Sequence, residues 1–519
     1  MRLLIKRLTQ GWCASKMFFC SLLGKTITYA AIDPPVLISA THQEVAFMSP
    51  ILTTKRLRRP ARLLLSLLLA ASPAFSQGPP LAEPQREQLL NGLRVLIWER
   101  PGSQDLTIKL RLHSGAAFDL AGRAGEMSLL GDLLFPDPAT IEFFTQEMSG
   151  KLEVNTDHDC ITITMQGRVG QFERIVEILR NALVTTQITP EIVARHRDRR
   201  IKILRDTAIS PAFVADRAIA ARFFGDYPYG RPANGSVEDL ARVDRADLLL
   251  ARERFLNPNN ATLAIVGGVE RNRTMRALRQ LLGSWRKSEQ IVPSTFRQPS
   301  PPDARTLIIN GPADQTAEVR LGVRGVARSE ASYYAAAILA LIARQRWLAM
   351  TPELSFKQFF VRNDAHVLPG MFVMGASINS KSSPQVISSA KRVIDSLIKV
   401  PAIPSELDQA KNELIVQLNN RLGKPETMID VWLDADTFHL PALAEQLQSW
   451  RDVSVNDLQR VASHLFQEAP IASIVLGDAQ QLKTELEGHV QTELMVEIAK
   501  PTTNQLEVKP AKPNIATKP

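Results

Sequence analysis

Alternating apolar and polar residues predict that the ordered part of the chain begins with strands. Asn91-Gly92 is a dipeptide that tolerates the positive φ angles of a tight hairpin turn, and a strand segment from Leu93 to Glu99 follows it. Apolar residues from Leu106 to Leu112 then alternate with Thr107, Lys109, Arg111 and His113. This period of two predicts a strand that is buried on one face only, with His113 solvated or hydrogen-bonded on the polar face.

A helix is predicted next, because Met127, Leu130, Leu133 and Leu134 fall at helical spacing after Ala124. Four further segments follow at characteristic intervals. They are a strand region at 150–164, a charged helix at 191–206, the loop Tyr-Pro-Tyr-Gly-Arg-Pro at 227–232, and the strand that follows Asn-Pro-Asn-Asn at 257–260.

In this order and spacing, the segments at roughly 84–490 resemble the insulinase-like M16 zinc metallopeptidase family. The Pro-Tyr-Gly-Arg-Pro loop and the Pro-Asn-Asn sequence are the most specific matches. The resemblance implies an α+β fold with two homologous, LuxS/metallopeptidase-like domains. Each domain is expected to contain an antiparallel sheet with helices on one face.

Active members of that family carry His-x-x-Glu-His on the helix after the second strand, where two imidazoles bind Zn²⁺ and the glutamate polarises its water. The matching ligand positions here are Ser128 and Asp132, and the general-base position is Gly131. The third ligand position is Asp206, and a further acidic position is Arg199. Because Zn²⁺ prefers imidazole and thiolate ligands, we expect a hydrogen-bonded polar remnant without metal or catalysis. A Ca²⁺ ion between Asp132 and Asp206 is the alternative.

No other catalytic motif replaces the lost one. The eight histidines lie at 42, 113, 158, 196, 366, 439, 464 and 489, and no two have the spacing of a helical zinc pair. The chain also has no glycine-rich phosphate loop of the Walker type. We therefore predict no cofactor for this chain, and zinc only in a partner.

The resemblance also implies candidate contacts to a peptide substrate. In paired bacterial members, the chain without zinc contributes an arginine and a tyrosine from its second domain, and the matching residues here are Arg346 and Phe356. A surface arginine beside a core phenylalanine is the alternative interpretation. The strand region containing Asn155, Asp157 and His158 could also bind an extended peptide through main-chain hydrogen bonds, which need no particular side chains.

An internal duplication predicts two halves, because Ile188-Thr-Pro-Glu191 recurs before a second long helix as Ile403-Pro-Ser-Glu406. At 519 residues and 45% hydrophobic content, the chain is long enough for two cores. We predict domains at 84–285 and 306–490, joined by a Pro- and Ser-rich linker at 286–305. The polar, Pro-rich segment 491–519 is predicted to be a disordered tail.

The formal charge of +9 is concentrated near the start of the chain. Residues 1–76 contain ten of the 62 basic residues and only two of the 53 acidic ones, so the remainder is nearly neutral. A nucleic-acid function therefore loses its main support. The basic run at 55–59, the apolar run at 63–71 and the small residues near Ser76 are typical of a signal peptide.

That signal peptide is predicted at 48–76, starting from Met48, with 1–47 as an upstream extension. An uncleaved anchor is the alternative. The apolar run is too short for a stable membrane span, so no other membrane association is expected. The mature chain would then be periplasmic or secreted. Cys160 is its one cysteine, which excludes an intrachain disulfide in that product.

The leading hypothesis is a proteolytically inactive subunit that binds unfolded peptide and completes the chamber of an active, zinc-bearing M16 partner. One alternative is a freestanding scaffold or peptide-binding protein of this fold. Another is a metallopeptidase with an unorthodox metal site.

Overall fold

The computed structural model describes residues 83–207, 210–289, 296, 302–311, 315–467 and 470–495. The predicted upstream extension and signal peptide, and most of the predicted linker and tail, lie outside the described residues. Within the described part of the chain, no helix has both the length and the apolar content that a membrane crossing requires.

Two six-stranded sheets form the centre of the structure. The first contains β1 (Gln85–Gln88), β2 (Arg94–Glu99), β3 (Asp105–Leu112), β4 (Lys151–Thr156), β5 (Ile161–Arg168) and β6 (Ala261–Gly267), in the order β1-β2-β6-β3-β5-β4. The second contains β7 (Thr306–Asn310), β8 (Thr316–Arg324), β9 (Gln358–Asp364), β10 (Met371–Asn379), β11 (Ala472–Gly477) and β12 (Thr492–Met495), in the order β12-β7-β11-β8-β10-β9.

The two sheets share one strand order, with β12 in the place of β1, which agrees with the predicted duplication. The α+β fold of two related halves is confirmed, but the sheets are mixed rather than antiparallel. In the first sheet, β6 runs parallel to β2 and antiparallel to β3. Because β6 is inserted between strands that run in opposite directions, it must be parallel to one of them. The same holds for β11 between β7 and β8.

Two local predictions have clear outcomes. The hairpin at Asn91-Gly92 is confirmed, because β1 and β2 pair on either side of it and Gly92 has a φ of +94°. The predicted disordered tail begins too early, because Thr492–Met495 forms β12 and pairs with β7. Main-chain hydrogen bonds along the sheet order this segment despite its low apolar content. The exact domain boundaries stay predictions.

Fifteen α-helices occur in the described residues. The first half contains α1 (Glu126–Asp132), α2 (Pro138–Glu142), α3 (Phe172–Arg180), α4 (Pro190–Thr207), α5 (Pro211–Phe224), α6 (Val237–Leu240), α7 (Arg245–Phe255) and α8 (Arg271–Leu282). The second contains α9 (Ser332–Met350), α10 (Ser383–Lys399), α11 (Pro404–Leu422), α12 (Pro425–Thr437), α13 (Leu443–Asp452), α14 (Val455–Gln467) and α15 (Ala479–Leu486).

Each half contributes one helix to the sheet of the other half. Helix α5 packs on β8 and β11, while α12 packs on β3 and β6. Helices therefore cover both faces of each sheet, and the expected one-sided arrangement holds for the helices that each half packs on its own sheet. One face is covered by helices of its own half and the other by the exchanged helix.

The exchange also corrects the prediction that β3 has one exposed face. Lys109 and Arg111 are each only 7% exposed. Lys109 Nζ lies 2.8 Å from Asp430 of α12, and Arg111 Nη1 lies 2.7 Å from Asp434 of the same helix. Alternation along β3 indicated two chemically different faces, but the sequence could not show that a helix more than 300 residues later would neutralise the polar one.

His113 belongs to the same contact. Its Nδ1 lies 3.0 Å from Thr437 Oγ1, and its Nε2 lies 3.0 Å from Thr262 Oγ1. The Thr262 hydroxyl donates to Asp436. Burial, with the nearby charges of Arg94 and Arg111, lowers the pKa of His113 to about 3. The histidine is therefore neutral and hydrogen-bonded, as one of its two predicted roles requires.

Candidate functional site

Helix α1, which corresponds to the predicted metal-site helix, has a buried cap at its first turn. Asp119 Oδ2 accepts a hydrogen bond from the Gly125 amide at 2.6 Å, and Oδ1 accepts one from the Met127 amide at 2.8 Å. These bonds satisfy amide donors that a helix start leaves without partners. Burial outweighs these bonds and raises the pKa of Asp119 to about 7. Gly125 has a φ of +98°, a conformation that favours glycine.

The Pro-Tyr-Gly-Arg-Pro loop forms hydrogen bonds to the segment that carries this cap. Arg231 Nη1 donates to the carbonyl oxygen of Asp119 at 2.8 Å, and Nη2 donates to that of Ala117 at 3.3 Å. Tyr229 donates its hydroxyl to Asp159 Oδ1 at 3.1 Å. The most specific sequence match to the family therefore has a structural task, and that task does not depend on the catalytic residues.

The two residues of α1 that were predicted to occupy zinc-ligand positions have other partners. Ser128 is buried and donates its hydroxyl to the Ala233 carbonyl at 2.7 Å. Asp132 accepts two hydrogen bonds from Arg200, one from Nε to Oδ2 and one from Nη2 to Oδ1, both at 2.7 Å. Arg200 Nη2 also donates to the Ser128 carbonyl at 3.1 Å. This two-pronged contact joins α4 to α1 through a guanidinium.

Gly131, the residue at the predicted general-base position, lies against strand β4. A Cβ atom built there would lie 2.8 Å from Thr156 Oγ1. The glycine therefore lets the strand approach the helix closely, and a glutamate could be placed there only if Thr156 moved. The sequence alone could not reveal this close approach of helix and strand.

The remaining two predicted positions are on the surface of α4. Arg199 and Asp206 are both exposed, and Asp206 does not line the cavity that contains Asp132. Among the described residues, no group of three or more His, Cys, Asp or Glu side chains could hold a metal ion. The donor set does not fit zinc, since both Asp132 oxygens accept from a cation and Ser128 donates its proton. The calcium alternative also lacks the six or more converging oxygens that it needs.

Sequence reasoning missed Arg200. The sequence shows adjacent arginines at 199 and 200, but no motif says which one reaches a carboxylate 68 residues earlier. Helical periodicity places Arg199 and Arg200 about 100° apart on α4, so only one can point to α1. Distinguishing them required the position of α4 relative to α1.

A cleft of about 340 Å³ lies between α1, β4 and α4. Its polar lining includes Asp132, His196, Arg199, Arg200 and Asn234. Its apolar lining includes Phe135, Ile141, Leu152, Val154, Ile203 and Phe213. Strand β4 is last in the order of its sheet, so its outer edge pairs with no strand of the described chain. The cleft thus combines apolar walls, two arginines and an open strand edge.

Of the three peptide-binding residues predicted around β4, only Asn155 is exposed on the strand. Asp157 forms a turn, with Oδ1 accepting from the Asp159 and Cys160 amides at 2.8 Å each. His158 is half-buried, and its Nε2 donates to the Arg231 carbonyl at 2.9 Å. The side chains of Asp157 and His158 therefore bond within the fold, while Asn155 is exposed and the outer edge of β4 pairs with no strand of the described chain.

Arg346 and Phe356 have internal contacts in the second half. Arg346 forms a two-pronged contact with Glu406, at 2.9 Å to Oε1 and 2.8 Å to Oε2. It also donates to the carbonyls of Ser396 and Val400. Phe356 packs against Phe359, with ring centroids 4.7 Å apart. This geometry favours the structural interpretation, and substrate contact by the pair stays a prediction.

A polar cluster that sequence reasoning did not identify joins the two halves. His366 Nδ1 lies 2.7 Å from Asp159 Oδ2, and the His366 ring stacks on Tyr229 with centroids 4.4 Å apart. The Leu368 amide donates to the Tyr229 hydroxyl at 2.9 Å. Burial alone would lower the pKa of His366, but the hydrogen bond and charge of Asp159 outweigh burial and raise it. The cluster shows a second structural use of the tyrosine loop.

Comparisons with known proteins agree with this geometry. The family described as "Peptidase M16 inactive domain" matches residues 242–414. The uncharacterized zinc protease ML0855 of Mycobacterium leprae is 25% identical over 270 residues, which are 49% of this chain and 58% of that protein. Cytochrome b-c1 complex subunit 1 of Homo sapiens is 22% identical over 46% of this chain and 51% of its own length. The chain therefore spans between half and two thirds of these relatives.

Solved structures match over a larger share. A protease from Helicobacter pylori has a TM-score of 0.68 at 18% identity, covering 76% of this chain and 99% of that one. The peptidase M16 inactive domain from Pseudomonas fluorescens has a TM-score of 0.66 at 16% identity, covering 76% and 97%. At these identities the match supports the fold and the two-sheet architecture.

Proposed function

We propose, from the premise that this chain belongs to the M16 peptidase family as a member of its inactive type, that it is a non-cleaving, peptide-binding subunit. In this proposal it completes the chamber of an active, zinc-bearing M16 chain in the periplasm. The single observation that carries the proposal is the Asp132–Arg200 contact beside the open edge of β4. The contact puts a fixed cation among the former ligand positions, while the surface that can hold a peptide is retained.

Peptide binding by β4 requires only main-chain donors and acceptors along its outer edge. An extended peptide can add to such an edge as a further strand, and pockets beside it then select side chains. Leu152 and Val154 of β4 line the cleft, so an added strand would continue the sheet along the cleft wall. Nothing in this mode of binding needs the lost histidines.

Two peptides of identical sequence test the binding mode. One is N-methylated at its odd-numbered amides and the other at its even-numbered amides, so each loses one alternate set of main-chain donors. Because a strand in a sheet directs alternate amides to opposite sides, strand addition predicts that only one peptide loses binding, measured by fluorescence anisotropy. Equal binding by both would contradict strand addition, and equal loss in both would indicate a steric effect of the methyl groups.

A second experiment tests the partner. The chain is expressed from Met48 in its native host with a tag after residue 495, and co-purifying proteins are quantified by mass spectrometry. The proposal predicts a stoichiometric partner that carries His-x-x-Glu-His. Purification alone or as a homodimer would contradict the partner subunit and favour a freestanding scaffold. The scaffold alternative is supported by the similarity to cytochrome b-c1 complex subunit 1, whose name identifies it as a subunit of a larger complex.

The remaining alternative is a peptidase with an unorthodox metal site. It requires that Asp132→Ala and Asp206→Ala each abolish cleavage by the purified chain. We expect no metal-dependent cleavage that either substitution removes, because Asp132 already pairs with Arg200 and Asp206 is exposed outside the cleft. Chelator-sensitive cleavage by the chain alone, lost in both variants, would establish the alternative.

A further inference from the structure

We propose that the cleft selects extended peptides with an acidic side chain, and that Arg199 contacts that side chain. The inference rests on the proposed peptide-binding function and adds the class of ligand. It depends on a difference in bonding between Arg199 and Arg200, the two adjacent arginines that line the cleft.

Arg200 is committed to the protein itself. Its guanidinium is bound at two points to Asp132, and its side chain is 17% exposed. Arg199, by contrast, is exposed and forms no hydrogen bond or ion pair with any residue that the structure describes. The charge of Asp132 is already balanced by Arg200, so the charge of Arg199 is available to a ligand in the same cleft.

Strand geometry brings a ligand side chain toward Arg199. Successive side chains of a strand point to opposite faces of the sheet. On β4, Leu152 and Val154 point to the face that lines the cleft, and Lys151 and Glu153 are exposed on the other. A peptide paired with β4 would direct alternate side chains to the same face as Leu152 and Val154. One of these side chains would enter the space between β4 and α4, where Arg199 is located.

This geometry favours an acidic side chain over the free carboxylate at a peptide's C-terminus. A terminal carboxylate lies in the plane of the backbone, along the strand edge, whereas a Glu or Asp side chain extends out of that plane into the cleft. The apolar residues Phe135, Ile203 and Phe213 share the lining with Arg199. The preferred ligand therefore has an acidic residue with apolar residues two positions away on either side, all on one face of the strand.

The test compares two fluorescein-labelled, extended heptapeptides that differ only in Glu or Gln at the central position, with apolar residues at the positions two before and two after it. Binding to the full chain is measured by fluorescence anisotropy at low ionic strength. We expect the Glu peptide to bind about fivefold more tightly, as suits one partly exposed ion pair. Raising the salt concentration should reduce the ratio, because exposed charges are screened.

Arg199→Gln should bring the Glu-to-Gln ratio close to one, and Arg199→Glu should reverse it. The matched control is Arg205→Gln, an exposed arginine on the same helix that does not line the cleft, which should keep the wild-type ratio. Circular dichroism verifies that each variant is folded. A Gln peptide bound as tightly as the Glu peptide, or a preference that survives Arg199→Gln, would overturn the inference while leaving peptide binding intact. If neither peptide binds, the proposed peptide-binding function fails and the inference fails with it.

Discussion

Each half of the molecule joins two helices with a two-pronged arginine–carboxylate contact, and the two contacts have different surroundings. In the first half, Asp132 of α1 meets Arg200 of α4 at the edge of an open cleft, with side chains 34% and 17% exposed. In the second half, Arg346 of α9 meets Glu406 of α11, with side chains 12% and 22% exposed. The order of the two charges along the chain is also reversed. The arginine is on the later helix in the first half and on the earlier helix in the second half.

The surroundings determine what each contact can do. Arg346 also donates to two carbonyls at the end of α10, so one side chain joins three helices. Trp347, beside it in sequence, is fully buried and packs on Phe359. Arg200 has one further carbonyl acceptor, Ser128, and the space beside it is a cleft. The comparison teaches that one arginine links three helices in the second half, whereas the matching contact in the first half lies beside an open cleft.

The largest expected effect on stability comes from removing the more buried of the two arginines, Arg346. Arg346→Ala leaves Glu406 and two carbonyls without their donor, so we expect the free energy of unfolding to fall by about 3 kcal/mol. Urea denaturation followed by tryptophan fluorescence measures it. Arg344→Ala, an exposed arginine on the same helix, is the matched control and should change stability by less than about 0.5 kcal/mol. Similar values for the two variants would show that Arg346 is not a structural residue.

A second prediction concerns pH and the exchanged helix α12. Because the pKa of His113 is about 3 in the fold and near 6.5 when unfolded, unfolding takes up a proton below pH 6.5. His113 therefore costs stability as pH falls below 6.5 and costs none above it. Between pH 6.5 and 5, we expect the stability of His113→Gln to improve relative to the wild type by about 2 kcal/mol. A constant difference across this range would mean that folding does not lower the pKa of His113.

The cleft contact is expected to contribute less than the buried one. A double-mutant cycle of Asp132→Ala and Arg200→Ala, measured by urea denaturation, should give a coupling energy of about 1 kcal/mol, since water reaches the pair. Peptide binding should persist in Asp132→Ala if that variant is folded. A coupling energy equal to the loss in Arg346→Ala would remove the contrast between the two halves.

The smallest expected change in stability concerns the close approach of α1 and β4. Gly131→Ala normally favours a helix, but its Cβ would meet Thr156 Oγ1, so we expect no gain in the wild-type background. In a Thr156→Ala background the same substitution should stabilise the protein by about 0.5 kcal/mol, because the obstructing atom is absent. Thermal unfolding of the four proteins in this cycle measures the difference, and an equal gain in both backgrounds would contradict close packing at Gly131.

Local pattern predicted much of the fold and only part of the site. The hairpin turn at Gly92, the helix through Met127 and the duplication marked by Glu191 and Glu406 all depend on short-range periodicity or repeated segments. The assignment of Ser128 and Asp132 to zinc-ligand positions also rests on order along the chain, and it stays a prediction. The sequence did not predict the partner of Asp132. That partner is Arg200, 68 residues away, and it is determined by how α4 packs on α1.

The sequence by itself determined an order and spacing of segments that resemble the M16 family, and this resemblance predicts that Ser128, Gly131 and Asp132 occupy the motif positions of active members. These properties are encoded in residue types and their spacing. Only the tertiary structure decided that Arg200 would bind Asp132, that α12 would bury the polar face of β3, and that Arg199 would stay exposed in the cleft. The physical reason is that each outcome depends on chain closure and on the burial of charge between distant segments, which local periodicity does not specify.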